Sequence, residues 1–272
     1  MNTKKHHLLA IPYYLWIILF VIAPILLLLY RSFFNIAGQF TFDNYIHYFT
    51  NRNYLVMTAS SFLYAFLVTL VTLVIAYPMA YFLTKTKRKD LWLLLIILPT
   101  WINLLLKIYA FIGILSQTGP INSFLTNLGF ESQQLLFTNI AFLLVAAYIE
   151  LPFMLLPIFN SIDEIPHSLI EASTDLGSSE WVTVRRVVMP LSMRGVRSGV
   201  QAVFIPSLSL FMLTRLIGGN RVITLGTAVE QHFLVTQNWG MGATIGVVLM
   251  VSMVLVMFLT RSRNDQGGAS ND

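Results

Sequence analysis

Residues 163–190 read Asp163-Glu-Ile-Pro-His-Ser-Leu-Ile-Glu-Ala-Ser-Thr-Asp-Leu-Gly177, then Ser-Ser-Glu-Trp181-Val-Thr-Val-Arg-Arg-Val-Val-Met189-Pro190, a polar interlude between two apolar runs. Ser168 and Glu171 have the S-x-x-E spacing of a capping box, in which side chain and backbone satisfy each other's free donors. Gly177 fits a helix stop, because glycine accepts the left-handed conformation that closes a helix. Ser178 or Ser179 then starts a second helix carrying Trp181, Val184, Val187 and Val188 before Pro190. The expectation is two short helices joined at a glycine corner. On this physics alone, the segment reads either as an ordinary amphipathic loop or as a lever that seats in a groove on another protein.

The sequence on either side is membrane-like. The chain has 272 residues, 56% hydrophobic and only 11% charged, against about 25% charged in soluble domains. A spanning helix needs about 20 mostly apolar residues, and six stretches meet that length: about 11-30, 56-84, 91-115, 138-161, 199-217 and 240-260. Alternating sides puts 12 Lys and Arg (4, 5, 85, 87, 88, 89, 185, 186, 194, 197, 261, 263) on one side and 3 (31, 52, 221) on the other. Positive residues stay on the cytoplasmic side, so both termini, the Lys85–Asp90 turn and the 162-198 loop are expected there. The polar tail 264-272 is expected to be disordered, and 1-263 to form one transmembrane domain without internal repeats.

Several functions are excluded. The net charge of +5 flanks apolar runs instead of forming a stripe for nucleic acid. With no Cys, the chain has neither disulfides nor a thiolate site. No glycine precedes a lysine, so the G-x-x-x-x-G-K-[ST] phosphate loop is absent. H-E-x-x-H and a nucleophile elbow are missing too, which argues against an intramembrane enzyme. The basic residues before Ile11 suggest a signal peptide, but the apolar run that follows is too long and no small-x-small site ends it; it is read as a retained first helix.

Pro78, Pro99, Pro152, Pro157 and Pro206 fall inside expected spans, where each removes a backbone donor. Either they are ordinary irregularities or they mark a mobile gate. A short surface helix is expected near 121-128. Gly242 and Gly246 make a G-x-x-x-G that permits close helix packing.

Glu171-Ala172-Ser173, three residues, Gly177, nine residues, then Val187-x-Met189-Pro190 resembles the EAA loop of binding-protein-dependent ABC importer permeases. Serine stands at the third-position alanine, and Val and Met replace Ile and Leu, without large change of size or polarity. The resemblance implies an all-α, type I importer permease fold whose cytoplasmic coupling helix seats in an ATPase cleft. Glu171, Ala172, Ser173, Asp175, Leu176 and Gly177 would form the ATPase contact. It also implies no cofactor in this chain, with ATP and Mg bound by a partner ATPase dimer, a second permease (a heterodimer, or a homodimer) and an extracytoplasmic binding protein.

Shorter matches, Thr41-Phe-Asp-Asn-Tyr45, Pro99-Thr-Trp101, Lys107-Ile-Tyr109, Gly119-Pro-Ile-Asn122, Leu151-Pro-Phe-Met154, Gly218-Gly219 and Trp239-Gly-Met-Gly242, are similar to the spermidine/putrescine permeases. They imply polyamine cargo; sulfate, molybdate, thiamine and iron permeases share the architecture. From another class, a secondary transporter driven by ion gradients remains a rival, and it predicts internal repeats and several midplane ionisable residues.

A polyammonium cargo calls for carboxylates or aromatic faces along its path. At about 1.5 Å per residue, Glu150 lies roughly 18 Å into the fourth span, near the bilayer centre. It either meets cargo or forms an ion pair with Lys107 or an interhelical hydrogen bond. Trp101 and Tyr109 on the third span either offer cation-π faces or pack and anchor. Lys107 and Arg215, roughly 24 and 27 Å from the cytoplasmic ends of their spans, are placed to snorkel to the outer interface.

Overall fold

A computed structural model describes residues 11–219 and 221–260; Lys4, Lys5, Arg261, Arg263 and the tail 264-272 lie outside the described residues, as do the two termini whose placement was expected. Helix α1 (Ile11–Ser32) is followed by α2 (Asp43–Thr50) and α3 (Arg52–Thr84). The third expected span is α4 (Lys89–Ile97), a 3-10 turn at Leu98–Trp101, and α5 (Leu104–Leu115). The short helix expected near 121-128 is α6 (Pro120–Asn127), and α7 is Asn139–Asp163. After the polar loop come α10 (Met193–Ser207) and α11 (Phe211–Leu216), then α12 (Leu225–Glu230) and α13 (Trp239–Thr260). The loop itself holds α8 (His167–Asp175) and α9 (Glu180–Thr183), the latter continued in helical form through Val184–Val188 and Met189–Leu191.

Helix starts follow local chemistry. Asn51, Asn103 and Thr138 sit at N-caps, and their side-chain oxygens accept from the N–H groups of Asn53 (2.9 Å), Leu105 (2.8 Å) and Ala141 (3.1 Å). Each satisfies a donor that a helix end leaves free.

Among the described residues, five stretches are long and apolar enough to cross a membrane: Ile11–Ser32, Arg52–Thr84, Leu104–Asn127, Asn139–Asp163 and Trp239–Thr260. Two of the six expected spans are corrected. The third is not one continuous helix over 91-115: Pro99 lies in its 3-10 turn and Ile102 is extended (φ −79°, ψ 135°). Leu104–Asn127 itself turns at Ser116, and Gly119 sits against the carbonyls of Gly113 and Ile114, so α6 folds back on α5. The fifth begins at Met193 instead of 199 and is interrupted between Ser207 and Phe211. Its basic first turns, with Arg194 and Arg197, made that part look like loop. Pro78, Pro152 and Pro157, by contrast, sit inside unbroken helices.

The core forms where α7 packs on α3 and α10. Small residues bring the backbones together, as they do where membrane helices meet: Ala65, Ala76 and Ala80 on α3, Ala141 and Ala146 on α7, Gly195 and Gly199 on α10. Gly195 and Gly199 are a second G-x-x-x-G, not singled out from sequence, lying against Pro157, Ser161 and Met154. Gly242 and Gly246, which were, rest on Phe233 and on Leu28 of α1. Buried Thr69 and Thr72 donate to the carbonyls of Ala65 and Val68 at 2.7 Å each, so no hydroxyl is stranded there.

Connections gather at two ends. At one, Lys89 Nζ bonds both Asp163 oxygens at 2.7 Å, and Tyr77 Oη lies 2.9 Å from Ser192 Oγ. At the other, the Phe137 N–H donates to the Ile217 carbonyl at 3.0 Å and Tyr54 Oη lies 2.9 Å from His232 Nε2. Helix α1 packs along α13, and its apolar face is otherwise bare.

Candidate functional site

The 163–192 loop projects from the first of these ends as a rigid corner. Helix α8 stops in a Schellman arrangement: Gly177 has φ +78°, its N–H donates to Thr174 O (2.9 Å), and the Ser178 N–H donates to Ser173 O (3.2 Å). Ser173 Oγ and Thr183 Oγ1 are 3.0 Å apart, tying α8 to α9 across the corner. The serine that departs from the family's alanine therefore has a bonding role.

Helix α8 starts two residues earlier than the capping box required. Pro166 is the N-cap and no side chain caps the end; Ser168 falls inside the first turn, and Glu171 lies 3.4 Å from His167 on the exposed face. Ser179 does occupy the N-cap of α9, without a side-chain bond. The apolar residues expected on the second helix are covered unequally. Val184 and Val188 are buried, whereas Trp181 is 69% exposed.

Of the six residues singled out in α8, Glu171, Ala172, Asp175, Leu176 and Gly177 are exposed and Ser173 is half-buried. Leu176, at the corner, is 87% exposed. Leu176, expected in the ATPase contact, and Trp181, expected on the second helix, give the tip an exposed apolar element.

A clasp between the loop and the turn after α3 was not read from sequence. Glu180 is paired with Lys85 and accepts from Tyr81 Oη at 3.2 Å, while the Lys85 ammonium lies 4.5 Å from the Tyr81 ring centre. Lys89 holds Asp163, the last residue of α7. The turn between α3 and α4 is thus gripped at both ends of the loop. The hydrogen bond from Lys85 holds the Glu180 carboxyl below its ordinary range, and the same bond raises Lys85. The only sequence signal was a basic run facing isolated acidic residues.

Glu150 is 5% exposed on α7, with the Lys107 charge acting on it. Trp101 is 77% exposed and Tyr109 59%, whereas Glu150 is buried, so the two rings and the carboxylate lie in different environments in the single chain. Among the described residues, no three His, Asp or Glu side chains converge as a metal site would require. At the opposite end, Arg215 Nη1 donates to Glu230 Oε1 at 2.9 Å beside a cleft; Glu230 was not singled out from sequence.

Residues 7–262 match the family described as binding-protein-dependent transport system inner membrane component. The chain is 32% identical over 269 residues to the spermidine/putrescine transport system permease protein PotB of Haemophilus influenzae, covering 95% of this chain and 94% of that one. It is 34% identical over 254 residues to PotB of Escherichia coli K12, covering 90% and 92%. Its fold matches a chain of a bacterial alginate ABC transporter, solved with a periplasmic protein bound to alginate pentasaccharide, at a TM-score of 0.81 over 94% and 92% of the two chains, with 14% identity.

Proposed function

The chain belongs to the family of binding-protein-dependent transport system inner membrane components, and from that premise we propose that it is the permease subunit of an ATP-driven importer carrying spermidine and putrescine into a bacterial cell. The observation that carries the cargo is the match to permeases named for these polyamines along nine-tenths or more of both chains. The alginate transporter, at 14% identity, bears on fold alone.

In this reading the chain crosses the plasma membrane six times as one integral domain. The 193–216 segment is the crossing too interrupted and basic to count by length. Both termini, the Lys85–Asp90 turn and the 163–192 loop face the cytoplasm, as the excess of Lys and Arg requires. The exposed corner of α8 and α9 seats in one copy of a dimeric ATPase, where ATP and Mg are bound and hydrolysed. Glu171, Ala172, Asp175, Leu176 and Gly177 make the contact, Ser173 braces it from behind, and Trp181 extends it.

A second permease, most simply a different chain, completes the path, and a binding protein delivers cargo to the outer face. Trp101 and Tyr109 face outward from this chain, so they line the path where two permeases meet. Glu150, behind them with Lys107, contributes negative field from within. Cargo delivery and ATP-driven closure of the ATPase dimer then alternate access between the two sides.

The test is substrate-stimulated ATP hydrolysis by the complete complex in liposomes, comparing polyamines with sulfate, molybdate, thiamine and iron, each with its cognate binding protein. Stimulation by polyamines alone, abolished by Glu171→Arg, is expected. Stimulation by another solute alone overturns the cargo, and uptake without any ATPase overturns the class.

A further inference from the structure

At the outer end, α3, α11 and α12 enclose a cleft of about 320 Å³ that none of the residues above uses. Small-molecule pockets begin at about 300 Å³. Met57, Val222, Ile223 and Val235 give it an apolar wall; Thr227, Gln231, Glu230 and Arg215 give it a polar one. The cleft rests on a small core of Tyr48, Leu225, Ala228, Met241 and Ile245. Helix α11, which carries Arg215, also packs on α5 and α7, the helices of Lys107 and Glu150.

The ion pair across the cleft is lopsided. The Glu230 side chain is 17% exposed and the Arg215 side chain 58%. A shielded carboxylate is costly without a cation beside it. The guanidinium is mostly in water already and loses little by leaving, since exposed pairs contribute about 0–1 kcal/mol. Glu230 therefore requires a cation, and Arg215 is one that is readily replaced. An ammonium group on a short methylene chain matches the remaining walls, with the side-chain oxygen of Gln231 to accept another of its protons and apolar side chains to cover the methylenes.

We propose that this cleft is an entry site for the polyamine, where the leading ammonium displaces Arg215 from Glu230 before cargo passes inward along α11. The proposal rests on the polyamine reading above. It assigns the two partners opposite roles: Glu230 binds cargo, and Arg215 competes with it.

The experiment is equilibrium binding of radiolabelled spermidine to the complete complex in nanodiscs without the binding protein, together with uptake in liposomes with it. Glu230→Gln is expected to weaken binding about tenfold, the loss of one charged hydrogen bond. Arg215→Gln is expected to tighten it up to about fivefold, the release of an exposed competitor. The charge swap Arg215→Glu with Glu230→Arg restores a structural pair but leaves an entry site impaired. Equal losses in both single variants, or recovery in the swap, overturn the proposal. If Glu230→Gln fails to assemble, by thermal midpoint of the complex, Arg215→Gln decides alone: weaker or unchanged binding refutes the site. Wild-type complex that takes up polyamines while both variants bind normally refutes the site only, whereas wild-type complex that neither binds nor takes up polyamines refutes the cargo reading beneath it.

Discussion

Replacing Gly195 by Ala is expected to loosen the contact between α7 and α10. A Cβ there falls on the Pro157 carbonyl and the Ser161 side chain. The carbonyl belongs to the backbone of a packed helix, so no rotamer change relieves the clash. In isolation the substitution favours the helix by about 1 kcal/mol, because glycine is a poor helix former. Against that stand overpacking, which costs about 1–3 kcal/mol in a well-packed interior, and the 3.3 Å hydrogen bond from the Gly195 N–H to Ser161 Oγ, about 0.5–1.5 kcal/mol when lost. The balance is a loss of about 1–3 kcal/mol. At about 2–4 °C per kcal/mol for a chain of this size, the thermal midpoint of the purified complex falls by several degrees.

Gly199 and Gly113 supply the scale for the same assay. A Cβ at Gly199 meets Met154 Sδ at 2.8 Å and Met154 O at 2.9 Å; the sulfur can move and the oxygen cannot, so Gly199→Ala costs less than Gly195→Ala. At Gly113 nothing lies within 4 Å, and only the helix-propensity gain remains. The expected order of midpoints is therefore Gly113→Ala above wild type, then Gly199→Ala, then Gly195→Ala lowest. If Gly195→Ala raises the midpoint as much as Gly113→Ala does, the two helices do not approach as described.

Reversing either charge of the clasp, by Lys85→Glu or Glu180→Lys, is expected to reduce uptake per ATP hydrolysed, and combining the two is expected to recover it; a double variant no better than the singles removes the clasp from the coupling route. Because the chain has no cysteine, single cysteines report topology without background: Gln117→Cys should react with an impermeant maleimide on intact cells, and Leu176→Cys only after lysis, with the reverse pattern refuting the orientation. Burial, then the neighbouring His47, lower His232 from its ordinary value of 6.5. The sign follows: His232 contributes stability above about pH 6.5 that is lost as pH falls toward its folded value. Wild-type complex should lose more of its thermal midpoint between pH 7.5 and 5.5 than His232→Gln does, and equal losses would remove His232 from the pH response.

The apolar runs and the glycine corner were legible because they depend on local composition and on one backbone conformation. The interruptions were not. Five prolines carry the same local penalty, yet α3 and α7 run unbroken through Pro78, Pro152 and Pro157, while the breaks fall at Pro99 and just after Pro206. Whether a proline ends a helix depends on what packs beside the freed carbonyl, which a single sequence does not encode locally. Trp181 was placed on the second helix with Val184, Val187 and Val188, but the pattern does not say which of them the fold covers: Val184 and Val188 are buried and the ring is left exposed. Glu230 was passed over because it lies in a polar outer stretch with no motif, and its cleft arises only when Met57, 174 positions earlier than Gln231, folds beside it.

The positions of the breaks bear on how a push on the loop would be distributed. The loop is continuous with α7 and leads through Ser192 into α10, and it grips the start of α4 and the end of α3 through Lys89, Lys85 and Tyr81. A push on the loop would therefore reach all four helices at the ends nearest it. Helices α3 and α7 are unbroken over 33 and 25 residues, about 50 and 38 Å, and pack on each other, so as a pair they would carry such a displacement along their length as rods. The α4–α5 and α10–α11 segments are interrupted at 98–103 and 208–210, and there the half nearest the loop could tilt while the far half stays with α6 and α12. On the proposed function, the path would open by bending the α4–α5 and α10–α11 segments against a rigid pair, and stiffening either interruption should suppress transport more than ATP hydrolysis.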